Sequence, residues 1–423
     1  MIPISKPCLG EEEAAAAREA ILSGWVSQGP KVKAFEEAFA KYVGAHYACA
    51  VSSCTTALHM ALLAVGVKPG DVVVTVSHSF IATANSIRYC GAEPVFVDID
   101  VETFNMDTDD LLRFLRQDCE YRDGGLYYKH IDRIAVGESP LGFFCGRAGV
   151  SWEGIGRVAA ILPVHQMGFP CGIKRILKIA EEFSLPVVED AACAIGSEVS
   201  LDGGKTLDKI GKPHGDIACF SFHPRKILTT GDGGMLTTNN SEFDVKFRLL
   251  RQHGMSVSDT FRHSANKVIF EDYVTTAFNY RMTDIQAAIG IEQLRKLDNM
   301  VNERRDLAGI YAELLADISH LKIPEPHEAI NPNWQSYPLR LLDGAPKGQL
   351  EVMQFLLDKG ISTRRGIMNA HQEPAYRTAN WSLPKSEMCR DRTILLPIYS
   401  GIGRADLGNI VGTLREICRR NDV

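Results

Sequence analysis

The stretch CFSFHPRKILTTGDGG, Cys219 to Gly234, sets the reading of the whole chain. It begins as a run of apolar and small residues, which reads as a buried strand. His223, Pro224, Arg225 and Lys226 follow at once, and then a glycine-rich turn. A buried strand that ends by delivering a lysine to a turn needs an explanation. The rest of the chain supplies one.

Four further runs share the character of that strand: DVVVTVS (Asp71–Ser77), PVFVDI (Pro94–Ile99), RVAAILPVH (Arg157–His165) and PVVEDAA (Pro186–Ala192). Helical stretches such as SFIATANSIRYCGA and IKRILKIAEEFSL lie between several of them. Continuous apolar strands alternating with helices predict an α/β fold with a mainly parallel sheet covered on both faces. In such sheets ligands gather beyond the carboxyl ends of the strands. Upstream, Gly10–Ser23 reads as a surface helix, Lys33–Gly44 as a second helix and Thr55–Gly66 as a third, apolar on several faces and buried. After Gly254 the alternation fades. Thr283–Ile318 reads as one long helix, and SYPLRLLD, EVMQFLLDKG and STRRGI then suggest a small α+β unit. This predicts a large domain over 1–255 and a smaller one over 256–423. One segment, 117–156, breaks the rhythm. It is long, rich in glycine and aromatics and poorly periodic, so it is either a surface excursion or a substrate lid.

Composition narrows the function. The chain has 423 residues, 45% hydrophobic and 23% charged, which is ordinary globular material and enough for a large core. The net charge is -6 and no basic block is present, which argues against nucleic acid as a partner. No apolar run is long enough to span a bilayer. The N-terminus lacks a basic stretch followed by an apolar one, so the expectation is a cytoplasmic protein. The 11 cysteines are scattered without CxxC spacing and read as reduced thiols, with no metal site expected.

Several reactive residues fall at the ends of the expected strands. Lys226 follows CFSF, Asp190 ends PVVED, His165 ends AAILPVH, and Phe80 follows VVVTVSHS. Ser53, Cys54 and Thr55 open the buried helix. Together they suit pyridoxal phosphate. An aldehyde needs an amine nucleophile, and lysine forms the Schiff base. The ring is an electron sink only while its pyridine nitrogen stays protonated, which a neighbouring carboxylate favours. The phosphate needs N–H groups, hydroxyls and a helix N-terminus, and an aromatic face can stack on the ring. Each residue also has a plainer reading. Lys226 alone is a solvated charge, Asp190 a helix cap, SSCTT capping chemistry, Phe80 core and His165 a satisfied polar group. Their shared position at strand ends favours the functional reading.

The order of motifs resembles the DegT/DnrJ/StrS family of fold type I, pyridoxal-phosphate-dependent sugar aminotransferases. The blocks SGWVSQGPKVKAFEEAFAKYVGAHYACAVSSCTTALHMAL, GAEPVFVDIDVETFNMD, ILPVHQMGFPCGIKRI, PVVEDAACAIGS, GDIACFSFHPRKILTTGDGGMLTT, RQHG and NYRMTDIQAAIGIEQL occur in the family's order over nearly the whole chain. The resemblance implies a large domain with a mainly parallel seven-stranded sheet between helices and a smaller C-terminal α+β domain. It implies that Lys226 binds the cofactor aldehyde, that Asp190 pairs with the pyridine nitrogen and that Phe80 stacks on the ring. Ser221, with the amides near Cys54 and Thr55, would bind the phosphate. Asn279 would reach the phosphate of a partner subunit, which implies a homodimer with shared active sites. Where this chain has Cys54 the family has Gly. Where it has Cys193 the family has Gln or His near the ring oxygen, and Asp232 stands for the usual Glu. The 117–156 segment is longer than the family's connection.

The implied reaction is a ping-pong transamination from L-glutamate to a keto sugar, nucleotide-activated in the family's manner, within polysaccharide or secondary-metabolite biosynthesis. Lys226 would also be the general base, with Arg225 either lowering its pKa or making a phosphate or surface contact. Trp25, His165 and His371 are the candidates for substrate contact, with 117–156 and Ser362–Pro374 lining the pocket. Other acceptors, an inosose or a keto acid sugar, stay open. A dehydratase of this fold would carry His where Lys226 stands. A non-catalytic regulator would have little reason to keep Lys226, Asp190 and Ser221 together.

Overall fold

The computed structural model describes residues 1–145, 154–257 and 266–419. The apolar runs form strands β1 (Tyr47–Val51), β2 (Val72–Val76), β3 (Glu93–Val97), β4 (Val158–Leu162), β5 (Val188–Asp190), β6 (Ile217–Ser221) and β7 (Gly234–Thr238). β3, β2 and β4 pair in parallel in that order. β5 is parallel to β6, β6 is antiparallel to β7, and β7 is antiparallel to β1. Parallel bridges Ile161–Val187 and Val164–Asp190 join the two groups. The result is one seven-stranded sheet in which β7 alone runs against the rest. Every residue of β2 and β3 is buried. That is why these strands read as unbroken apolar runs rather than as an alternation.

Helices cover the sheet. α1 spans Glu11–Leu22, α2 Pro30–Val43 and α3 Cys54–Ala64. Eight residues of α3 are buried, His59 among them. Ser53 caps it: Oγ accepts the Thr56 amide at 3.2 Å, and Thr56 Oγ1 accepts the Ser53 amide at 3.1 Å. α2 is anchored differently. Buried Asp284 accepts the amides of Gly29, Lys31 and Val32 at 2.7, 3.0 and 2.9 Å, placing a carboxylate at the positive end of that helix. Asp284 itself opens the long helix Asp284–Leu315, whose own start is closed by Thr283 and Gln286.

A second, antiparallel sheet is built from later sequence, in the order Leu321–Lys322, Tyr337–Leu341, Thr393–Leu396, Arg364–Arg365. Helices Gln349–Asp358 and Arg404–Arg419 accompany it. The N-terminus joins this unit through a parallel bridge from Ile2 to Ile361.

The irregular segment is partly ordinary structure. Cys119–Arg122 and Gly125–Tyr128 form a hairpin. Its tip, Asp123-Gly124, has φ of 48° and 75°, the backbone that a two-residue turn matching strand twist demands. Leu126, Tyr128, Ile131 and Ile134 bury against the main core. Arg133 lies over the Trp381 ring and donates to the Asn380 carbonyl, so the segment reaches the C-terminal unit. The 146–153 part of the expected lid lies outside the described residues.

Candidate cofactor and active site

Five chain segments meet beyond the carboxyl ends of the strands. β6 ends at Ser221, and the chain turns through His223-Pro224-Arg225-Lys226, with the Lys226 amide donating to the His223 carbonyl at 2.8 Å. Proline at the second position pre-sets φ for that turn. The loop then closes on itself: the Phe222 amide donates to Gly233 and the Thr230 amide to Phe222, at 2.9 and 3.0 Å. The lysine is thus carried on a β-turn within a hydrogen-bonded loop, and its side chain points back over the sheet. Nζ lies 2.9 Å from Cys193 Sγ. Burial pulls the Lys226 pKa down, but Cys193, Cys54 and Asp190 outweigh it, and the amine is held above its ordinary value. Arg225 is exposed. The expectation that Arg225 depresses the Lys226 pKa is therefore corrected.

β5 ends at Asp190, which is 4% exposed. Its carboxylate accepts Thr83 Oγ1 at 2.8 Å and the Ala192 amide at 3.1 Å. Thr83 Oγ1 also contacts Ser79 Oγ at 2.8 Å, tying the loop after β2 to the carboxylate. Burial raises the Asp190 pKa, and these donors and Lys226 only partly offset it. A buried carboxylate in this condition suits a cationic ring nitrogen.

Ser221 faces Gly234 across the β6–β7 ladder, and Gly234 faces Val51 on its other side. The start of α3 lies directly on Gly234. A Cβ there would sit 2.4 Å from the Ser53 carbonyl carbon and 2.7 Å from the Cys54 nitrogen. Partly buried Ser221 and Thr55, buried Cys54 and the capped N-terminus of α3 therefore form one cup of hydroxyls and N–H groups, as a phosphate requires. Cys54 sits on helical backbone that any residue adopts, so Cys in place of Gly costs no strain. Its thiol is buried and held well above its ordinary pKa, so it is neutral. Phe80 is 63% exposed, an apolar ring left uncovered at the site's edge. The residues present fit pyridoxal phosphate.

Other expected residues lie elsewhere. His165 is fully buried. Its Nδ1 accepts the Cys171 amide at 3.0 Å, so the proton sits on Nε2, which donates to Glu189 Oε2 at 2.9 Å. Glu189 also accepts the His214 and Gly215 amides, at 3.0 and 2.8 Å. With both nitrogens engaged, His165 offers nothing to a substrate. It supports the strand end that carries Asp190, since its amide donates to the Asp190 carbonyl at 3.0 Å. His371, 5% exposed, is likewise committed: Nδ1 to Ser77 Oγ at 2.6 Å and Nε2 to Glu387 at 3.2 Å. Its amide and that of Ala370 also bind Ser77, and Asn369 Oδ1 lies 2.7 Å from His78 Nδ1. Asn369, Ala370 and His371 thus hold the loop leading to Phe80, and both His371 nitrogens are spent there. Trp25 is half-buried against Gly29, where α2 begins. Asn279 is exposed, beside a stretch whose Phe270, Tyr273 and Val274 are also exposed.

Asn333 and Gln335 escaped the sequence reading. Fully buried Asn333 donates to the Cys193 and Ile195 carbonyls at 2.9 and 2.7 Å and accepts the Gln335 amide at 2.9 Å. Gln335 donates to the Arg225 carbonyl at 2.6 Å and accepts the Ile227 amide at 3.1 Å. These two amides clamp the loops of Cys193 and Lys226 together. Trp334 between them holds φ of 52°, uncommon for a bulky residue. NPNWQ gave no periodic signal, but a run of side-chain amides in a turn was the available hint.

The family model of the DegT/DnrJ/EryC1/StrS aminotransferase family matches residues 7–117 and 155–415. The gap between the two matches coincides with the irregular segment. The chain is 34% identical, over 100% of its length and 98% of the relative's, to spore coat polysaccharide biosynthesis protein SpsC of Bacillus subtilis. It is 34% identical to GDP-perosamine synthase of Caulobacter vibrioides, over 98% of both chains. Among solved structures, the aminotransferase TlmJ of Streptoalloteichus hindustanus superposes with a TM-score of 0.80 at 30% identity, over 98% of both chains. The chain belongs to the DegT/DnrJ/EryC1/StrS family of aminotransferases, whose cofactor is pyridoxal 5'-phosphate.

Proposed function

We propose that this aminotransferase moves an amino group from L-glutamate to a keto sugar carried on a nucleotide, in the cytoplasm, for the synthesis of an amino sugar in polysaccharide or secondary-metabolite formation. The observation that carries the reading is the placing of Lys226 and the buried carboxylate Asp190 at neighbouring strand ends, each shifting the other's titration. The relatives named for polysaccharide biosynthesis and GDP-perosamine synthesis support the sugar class.

When bound, the cofactor supplies an electron sink for the carbon that loses and regains the amine. The chain does the rest. Lys226 would hold the aldehyde through its amine, and its free amine would carry a proton to and from the reacting carbon. Asp190 keeps the ring nitrogen protonated, and Thr83 and the Ala192 amide fix the carboxylate. Ser221 and the start of α3, with Cys54 and Thr55, take the phosphate. Phe80 would cover one face of the ring, and Cys193 lies beside the lysine. Asn279 and the exposed apolar stretch before it serve a second copy of the chain, Asn279 reaching the partner's phosphate. The division into domains near residue 255 remains part of this proposal, with Trp25 and Ser362–Pro374 toward substrate. An inosose or keto acid sugar is the alternative acceptor.

The test is the absorption spectrum of the purified protein with and without L-glutamate, beside Lys226→Ala. A visible band that glutamate bleaches, absent at the start from the variant, is the expected result. A band that no amino donor bleaches would overturn the transaminase reading. A panel of nucleotide-linked keto sugars, inososes and keto acid sugars then identifies the acceptor.

A further inference from the structure

The thiol of Cys193 touches the proposed nucleophile directly, with 2.9 Å between Sγ and Lys226 Nζ. The two are held there from behind. Asn333 fixes the Cys193 carbonyl, and Gln335 fixes both sides of Lys226 at Arg225 and Ile227. Neither side chain can easily drift from the other while that clamp is intact. Both residues are only partly buried, so a small oxidant reaches them. The neighbouring thiol, Cys54, is buried.

We propose that Cys193 and Lys226 form an oxidation-dependent covalent lock, a sulfur–nitrogen bond made when the cofactor is absent and a peroxide is present. The chemistry balances in two steps. The Cys193 thiolate attacks the peroxide O–O bond. Sulfur is oxidised by two electrons to a sulfenic acid, and the peroxide is reduced to water. The Lys226 nitrogen then attacks Sγ, the S–O bond breaks, and the departing hydroxide takes a proton from nitrogen and leaves as a second water. Net, one thiol, one amine and one peroxide give the S–N link and two waters. The contact makes both steps local. Before oxidation the amine already lies 2.9 Å from the sulfur it will attack. The contact with Cys193 is the main influence opposing burial at Lys226, so once the thiol is consumed burial favours the neutral, nucleophilic amine. A linked Lys226 cannot take up an aldehyde. Conversely, a lysine already committed to the cofactor is protected. A thiol reductant reopens the bond by attack at sulfur. The lock itself does not depend on which sugar or donor the enzyme uses, and it can be read without any activity assay.

The experiment compares cofactor-free and cofactor-loaded protein treated with hydrogen peroxide, followed by peptide mass spectrometry. The expected result is a linked pair of peptides carrying Cys193 and Lys226, lighter than their sum by two hydrogen atoms, in the cofactor-free sample alone. Dithiothreitol should remove it. Uptake of pyridoxal phosphate, read by absorbance, should fall in proportion to the linked fraction and return with reductant. Cys193→Ser and Lys226→Arg, each checked for a wild-type melting temperature, should abolish the link. Cys193 found only as sulfenic or sulfinic acid, or joined to Cys54 as a disulfide, would overturn the proposal. So would equal linkage in the loaded protein. If either variant fails to fold, the wild-type protein with and without cofactor decides the matter alone.

Discussion

Replacing Gly234 by alanine tests the phosphate cup by a single methyl group. The glycine is buried between Ser221 and Val51, under the first residues of α3. A Cβ would lie 2.4, 2.5 and 2.7 Å from Ser53 C, Ser53 O and Cys54 N. These are backbone atoms, so no side chain can swing aside. Reaching an ordinary contact near 3.4 Å moves the start of α3 by about 1 Å. Two costs follow. Overpacking a core site destabilises by roughly 1–3 kcal/mol. A shift of ~1 Å also takes an N–H from hydrogen-bond reach of a phosphate to beyond it, and a bond to a charged group contributes about 1.5–3 kcal/mol. The expected Kd for pyridoxal phosphate therefore rises roughly 10- to 150-fold, measured by absorbance titration of the cofactor-free protein. Gly231→Ala is the control. That residue has φ of +86° and open space, with nothing within 4 Å, where the alanine methyl would stand. Alanine there costs about 1–2 kcal/mol of backbone strain but leaves α3 in place. It should lower the melting temperature without weakening cofactor binding. Wild-type affinity in Gly234→Ala would refute the placement of the phosphate at this helix start.

Asp190→Asn should have opposite effects on the two forms of the protein. The carboxyl pKa is raised by burial, so in the cofactor-free fold its contribution is favourable at low pH and is lost as pH rises through the raised value. The variant should then melt higher than wild-type cofactor-free protein at pH 8, with the gap closing toward pH 5, while its cofactor loses reactivity; a lower melting point at pH 8 would contradict this. Glu189→Ala strands one buried donor, His165 Nε2, and two partly buried ones, the amides of His214 and Gly215, and should cost ~3 kcal/mol by denaturant titration. Burial raises the Glu189 pKa, but His165 and the amides outweigh it and leave it lowered. The contribution of that charge is thus present above the unfolded carboxyl value and disappears as pH falls through the lowered one, so Glu189→Gln and wild type should converge in acid. Asn279→Asp and Lys226→Ala should each be inactive alone. Mixed and reassembled, they should regain activity from one intact site per dimer, and no recovery would argue against a shared site.

Much of this fold was legible because buried parallel strands announce themselves. A strand covered on both faces is apolar throughout, and β2, β3, β4, β5 and β6 each stand out as a short run between helices. β7 was harder to read. GMLTT carries polar threonines although all five residues are buried, because Thr237 and Thr238 satisfy their hydroxyls on the carbonyls of Gly211 and Asp216. The hairpin at 119–128 was hidden by its setting in an irregular segment, although Asp123-Gly124 is a strong local turn signal.

The chemistry divides along the same line. Lysine after one strand, aspartate at the end of another and a capped helix start are local features, and sequence alone is enough to place them at strand ends. The contacts between segments are not local. His165 and Glu189 lie 24 positions apart, and His371 and Ser77 are separated by 294. Histidines read as free for substrate are spent inside the fold because burial penalises a polar atom left without a partner. The clamp of Asn333 and Gln335 arises only when the second unit is laid against the first, and the 2.9 Å meeting of Cys193 with Lys226 only when β5 pairs with β6. Local sequence determined which groups stand at the mouth of the sheet. The tertiary structure decided which of them remain free to react, because only packing assigns the hydrogen bonds.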